Sequence, residues 1–116
     1  MSHAEGFLAI VNDAKSRIKE ISITEFKSLL KNNKPLTIVD VREDNEWQNG
    51  AIPNAIHLGK GIIERDIEKT IPNKNETLVL YCGGGYRSAL ATDNIQKMGY
   101  TNVYSLDGGY QAWKNS

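Results

Sequence analysis

Phe7, Val11, Ala14 and Ile18 recur at intervals of four, three and four, the spacing of one apolar face on an amphipathic helix. Ser22 then offers an N-cap with Glu25 three residues on, a capping box that opens a second helix running to about Asn32. Pro35 bars its continuation, and Leu36-Thr37-Ile38-Val39 is a short β-rich run ending at Asp40. A turn or two of helix from Glu43 to Gln48 closes at Asn49-Gly50. Pro53-Asn54 leads into a second strand, Ala55 to Leu58, and a helical stretch around Ile62 to Lys69 stops before Pro72. Thr77-Leu78-Val79-Leu80-Tyr81 is a nearly unbroken apolar run, as expected of a strand buried on both faces. Cys82 and three glycines follow it. The next helix, from about Arg87 to Lys97, carries Ala91, Ile95 and Met98 on one face and stops at Gly99. Asn102 to Leu106 makes a last strand, and Gly109 to Trp113 a short closing helix.

Strands alternate with helices and no tight hairpin joins them, the pattern of a parallel, helix-covered α/β sheet. Ligands in such sheets sit beyond the C-terminal strand ends, where Asp40 and Cys82 both fall. The 116 residues make one domain, and 14 basic against 14 acidic side chains give no net charge. That balance points to no nucleic-acid or anionic-membrane partner. No run approaches the roughly 20 apolar residues that cross a bilayer. The N-terminus lacks a basic segment leading into an apolar run, so a cytoplasmic location is expected. The lone Cys82 rules out an internal disulfide or a resolving cysteine in the chain, and it suits a reducing compartment. Two histidines and one cysteine lie scattered without ligand spacing, so no metal or cofactor is expected. His57, between apolar neighbours, reads as a structural histidine. Arg42 and Glu46 have the i,i+4 spacing of a surface ion pair.

The candidate chemistry lies in Cys82-Gly83-Gly84-Gly85-Tyr86-Arg87-Ser88, between a buried strand and a helix N-terminus. Three consecutive glycines cost conformational entropy, which suggests a backbone that needs positive φ or approaches a ligand closely. A loop curled around the cysteine would aim successive N–H groups inward as an anion-binding nest, and the following helix adds its positive end. Such an arrangement favours a thiolate. It would also hold the terminal sulfur of a persulfide, or the oxyanion released by a donor such as thiosulfate.

This stretch resembles the active-site loop of rhodanese-like domains, C-x-x-G-x-R-S, at Cys82, Gly85, Arg87 and Ser88. Val39-Asp40-Val41-Arg42, Glu46-Trp47, Gly50, Ile52-Pro53 and Ala55 are similar to a second family signature. Leu106-Asp107-Gly108-Gly109 with Ala112-Trp113 matches a third. The resemblance covers about residues 20 to 115 and implies a five-stranded parallel sheet flanked by helices. It places the domain at 20–116 and leaves 1–19 as an accessory helix outside the catalytic core, whose apolar face packs on the domain, a second copy or a partner. It further implies a sulfurtransferase with Cys82 as nucleophile and persulfide carrier, and a backbone cradle from Gly83 to Ser88. Arg87 would support the loop or steer an anion, and Asp40 would buttress the loop by hydrogen bonds. The implied partners are a small sulfur-containing anion or persulfide as donor and a thiol or protein as acceptor.

The chain departs from the signature at Ala51, where the family has His, and at Asn54, where it has Gly. No basic residue occupies 83–85, where thiosulfate users often place cations. Three other readings compete. Phosphatases and arsenate reductases also seat a thiolate in a strand–loop–helix cradle, but with C-x5-R spacing, whereas Cys82 to Arg87 is C-x4-R. Gly83-x-Gly85-x-x-Ser88 imitates a dinucleotide fingerprint, yet it follows the third strand and too little chain remains for that fold. A binding or sulfur-carrier module without efficient turnover is the third.

Overall fold

The computed structural model describes residues 3–116. Its elements run α1 (Glu5–Lys15), β1 (Lys19–Ile21), α2 (Ile23–Lys31), β2 (Thr37–Asp40), α3 (Asp44–Gln48), β3 (Ile56–His57), α4 (Ile63–Thr70), β4 (Leu78–Tyr81), α5 (Tyr86–Lys97), β5 (Val103–Leu106) and α6 (Gly109–Lys114). The five strands pair in parallel in the order β1-β5-β4-β2-β3, which puts β4 at the centre.

All four residues of β4 are buried, and their period-two alternation feeds two cores. Leu78 and Leu80 join Ile63, Ile67 and Ile71 around α4 and Ala91 and Ile95 of α5 on one face. Val79 and Tyr81 join Ile21, Phe26, Ile52 and Leu106 on the other, covered by α2 and α6. The same alternation carries Cys82, one residue past the strand, onto the α5 side. The capping box is present as expected: the Glu25 amide donates to Ser22 Oγ and the Ser22 amide to Glu25 Oε1, both at 3.0 Å.

The fifth strand is β1, which the residue pattern did not reveal. It has three residues and buries only Ile21, so it carries no readable period and forms because β5 offers it an edge. The first helix ends at Lys15, short of Ile18, but Val11 and Ala14 are buried as its apolar face requires. That face packs on α5 of the same chain. Beyond its end, Arg17 Nη2 lies 2.7 Å from the buried Asp93 carboxylate, and Gln96 Nε2 donates to the Arg17 carbonyl at 2.8 Å.

The expected Arg42–Glu46 surface pair does not form. Arg42 precedes α3, so helical i,i+4 geometry does not apply to it. Its guanidinium turns inward and donates from Nη2 to Asp40 Oδ2 at 2.7 Å and to the Gly50 carbonyl at 2.6 Å. It lies over the rings of Tyr110 and Tyr81, with Asp40 fully buried and Arg42 only 5% exposed. The Tyr81 hydroxyl accepts from the Ile52 amide at 3.1 Å, and burial together with the Asp40 carboxylate pushes its phenol well above the ordinary value.

Removing one partner of such a pair leaves a buried charge unmatched, a cost of about 3–5 kcal/mol. Asp40→Ala and Arg42→Ala are each expected to destabilise the protein by that order in urea denaturation, and the double variant by less than their sum. Additive losses would show that the two side chains do not act as a pair.

Candidate functional site

The chain leaves β4 at Tyr81, passes Cys82 to Gly85 as an irregular loop and enters α5 at Tyr86. Gly85 caps the helix with φ +97°, a left-handed conformation that side chains rarely adopt. A Cβ there would also stand 3.2 Å from the Gly108 amide nitrogen. Gly83 and Gly84 have no positive φ, so the positive-φ requirement falls on one of the three glycines. The bend turns the backbone back on the cysteine. The Gly85 and Ser88 amides donate to Cys82 Sγ at 3.1 and 3.4 Å, and Ser88 Oγ lies 3.5 Å from the sulfur. Ser88 Oγ is in turn 2.8 Å from Ser105 Oγ on the adjoining β5.

A second segment clamps the loop from outside. The Tyr110 and Gln111 amides, in the first turn of α6, donate to the carbonyls of Cys82 and Gly83 at 2.8 and 3.1 Å. The approach is close enough that a Cβ on Gly109, which has φ +53°, would stand 2.8 Å from the Gly83 carbonyl carbon.

The seven residues singled out from Cys82 to Ser88 thus form one loop-and-helix start. Gly85 and Ser88 direct amides at the sulfur. Among the described residues, the amides of Gly84, Tyr86 and Arg87 have no protein hydrogen-bond partner. Asp40 differs from expectation. Its carboxylate is taken by Arg42, and no hydrogen bond from it to residues 83–88 is present among the described residues. Among the described residues, its link to the loop runs through the strand end, where β2 pairs with β4 and the Val41 amide donates to the Tyr81 carbonyl at 2.9 Å. His57 is held by an Nε2 contact to the Arg42 carbonyl at 2.8 Å and is stacked on Trp47.

Glu46 is the residue that sequence reasoning misplaced. It receives the Arg87 guanidinium in a two-pronged pair, Nη1 to Oε1 at 2.6 Å and Nη2 to Oε2 at 3.0 Å. The Glu43 amide adds a third bond at 3.0 Å. The Arg87 hydrogen bonds hold the Glu46 carboxyl at about 2, well below the usual carboxylate range. Ser105 was also missed, and Gly109, named only within the third family signature, was not expected to lie against the cysteine loop. The only signal for Ser105 was a small polar residue inside an apolar strand.

A cavity of about 390 Å³ opens on this sulfur, lined by Cys82, Gly84, Tyr86 and Arg87 and by His3 and Phe7 at the start of the chain. Among the described residues, no group of three or more metal-ligating side chains occurs. No helix there is long and apolar enough to cross a membrane.

Because Glu46 is held ionised in the fold, its contribution to stability is present above the ordinary carboxylate pKa and lost as pH falls through that value toward about 2. Glu46→Gln is therefore expected to be clearly less stable than the parent near neutral pH, with the gap closing in strong acid. Urea titrations at several pH values check this; a gap independent of pH would contradict the ion pair.

A rhodanese-like domain model matches residues 22–116. The thiosulfate sulfurtransferase GlpE of Coxiella burnetii is 32% identical over 96 residues, covering 83% of this chain and 87% of its own. A Bacillus subtilis protein that bears the provisional name of sulfur carrier, YrkF, is 32% identical over 98 residues, but the chain spans only 52% of its length. A protein of unknown function from Rhodopseudomonas palustris, described as a possible tyrosine phosphatase, superposes with a TM-score of 0.86 at 30% identity, over 99% of this chain and 93% of its own. Relatives named for sulfur transfer and sulfur carriage associate the family with rhodanese-type sulfur transfer. On the matched span and the shared fold, the chain belongs to the rhodanese-like domain family.

Proposed function

We propose that this protein is a sulfurtransferase that carries a sulfane sulfur as a persulfide on Cys82. The observation that carries the reading is the convergence of the Gly85 and Ser88 amides on Sγ at 3.1 and 3.4 Å. Backbone donors fixed at a helix N-terminus stabilise a thiolate at no cost of reorganisation. With thiosulfate as donor, the Cys82 thiolate attacks the outer sulfur. An S–S bond forms to Sγ, the sulfur–sulfur bond of thiosulfate breaks, and sulfite leaves with the electron pair. The anionic persulfide projects its terminal sulfur about 2.05 Å beyond Sγ, where the unengaged amides of Gly84, Tyr86 and Arg87 can receive it. A thiophilic acceptor then attacks that sulfur and the Cys82 thiolate is released. A thiol, a protein or cyanide serves as acceptor. Asp40 and Arg42 position the strand end and take no proton in this scheme. The same persulfide would serve a carrier that turns over slowly. The reading implies neither a metal nor a cofactor, and we infer a cytoplasmic setting from the lone reduced thiol.

One observation favours a second reading, the likeness to the protein described as a possible tyrosine phosphatase. Against it stand the C-x4-R spacing and the commitment of Arg87 to Glu46. A transferring phosphoryl group presents three equatorial oxygens and needs a wider ring of donors than a single sulfur does.

Cys82→Ser is expected to reduce sulfur transfer from thiosulfate to cyanide to background while the thermal unfolding midpoint stays near that of the parent. Activity surviving the substitution would refute the persulfide reading. The parent protein should not hydrolyse an aryl phosphate. A glycine inserted after Gly84, which restores C-x5-R, should lose sulfur transfer and gain affinity for inorganic phosphate. Efficient, Cys82-dependent hydrolysis by the parent would decide for the phosphatase.

A further inference from the structure

The wall of the Cys82 cavity comes partly from outside the matched domain. His3 and Phe7 belong to the segment before residue 22, where the family match begins, and the packing of α1 on α5 brings them to the mouth of the site. Their rings gather around Tyr86 of the loop, with centroids 4.5 Å from His3 to Tyr86, 5.5 Å from His3 to Phe7 and 6.3 Å from Phe7 to Tyr86. Cys82 Sγ therefore lies at the base of a recess walled by aromatic rings.

Charge points the same way. The one guanidinium lining the recess, that of Arg87, is already neutralised by the two oxygens of Glu46. Lys15, whose Nζ lies 5.3 Å from the Tyr86 ring centre, is 3.5 Å from Glu20. Among the described residues, a dianion entering this recess meets backbone amides and a helix terminus but no unpaired lysine or arginine. An apolar substituent finds ring faces to bury against.

We propose that this wall selects the sulfur donor, and that the recess takes an organic hydropersulfide with an aromatic or apolar carbon substituent in preference to a compact oxyanion such as thiosulfate. The proposal rests on the sulfur-transfer reading above and names its substrate class. The Cys82 thiolate attacks the terminal sulfur of R–S–SH. The new bond joins Sγ to that sulfur, the S–S bond of the hydropersulfide breaks, and the thiolate R–S⁻ leaves with the electron pair. The proton of the hydropersulfide passes to R–S⁻, so the products are R–SH and the anionic persulfide on Cys82. Phe7 lines the recess and carries no group that can take part in the transfer, so its action is on the substituent.

The test is single-turnover loading of Cys82, read as the gain of one sulfur atom in the intact mass. Benzyl hydropersulfide, methyl hydropersulfide and thiosulfate are compared over a concentration series at about pH 8, above the range of an ordinary imidazole. Benzyl and methyl donors share their chemistry and differ only in the group that would fill the recess. The parent is expected to favour the benzyl donor over the methyl donor at least tenfold, chiefly through a lower half-saturating concentration. Phe7→Ala should bring the two near parity, Phe7→Leu should keep most of the preference, and Ile10→Ser, at an exposed position of the same helix, should keep all of it. A benzyl preference that survives Phe7→Ala, or half-saturation by thiosulfate below that of the benzyl donor, overturns the proposal. Equal loading by all three donors overturns donor selection alone. Failure of all three to load Cys82 overturns the sulfur-transfer reading, and this proposal falls with it.

Discussion

Two backbone N–H groups aimed at one buried sulfur set the terms for the rest of this structure. Amides cannot be directed at a side chain three and six residues away unless the chain reverses sharply, and Gly85 in a left-handed conformation provides that reversal. The reversal in turn needs firm ends. On one side β4 is buried on both faces at the centre of the sheet, so Cys82 leaves it in a fixed direction. On the other, α5 begins immediately, and the Ser88 amide of its first turn, which has no partner within the helix, donates to the sulfur. The carbonyls of Cys82 and Gly83, displaced outward by the same bend, are taken up by the first turn of α6. Backbone bonds thus hold the sulfur from the α5 side and the loop carbonyls from the α6 side.

Two ion pairs hold the walls of this arrangement, and their partners are not those that local spacing suggests. Asp40 and Arg42 close on each other in the interior and lock the end of β2 beside Tyr81. Glu46 and Arg87 close at the rim and tie α3 to α5. The first pair is a structural device whose rupture would leave an isolated charge among aromatic rings. The second fixes a loop arginine and cancels its charge in the same contact. An arginine held in this way braces the loop well and steers a free anion poorly, in keeping with the absence of basic residues at 83–85.

The first helix extends the same logic. Its apolar face covers α5, the helix whose first turn supplies the Ser88 amide to the sulfur, and Phe7 lines the cavity beside the loop. The likeness to the Rhodopseudomonas palustris structure runs over 99% of this chain, whereas the match to GlpE covers 83% of it. The first helix thus lies within that structural likeness, although the family match begins only at residue 22.

Much of this molecule was written locally. The Ser22–Glu25 capping box, the apolar run into Cys82, the glycine-to-helix transition and the stop at Gly99 all depend on the conformational preferences of a few adjacent residues, and each appears where the residues place it. Cys82 and its loop were legible as a candidate site for the same reason, because a strand, a sharp turn and a helix start are each short-range features. What local pattern could not supply was partnership across the chain. Glu46 meets Arg87 over a separation of 41 residues, and Ser88 meets Ser105 over 17. The three-residue β1 exists only because β5 presents an edge. The clamp from α6 and the reach of Phe7 to the site follow from the order β1-β5-β4-β2-β3 and from which helix covers which face. Local periodicity says which face of an element is apolar; it carries no information about which distant surface that face will meet.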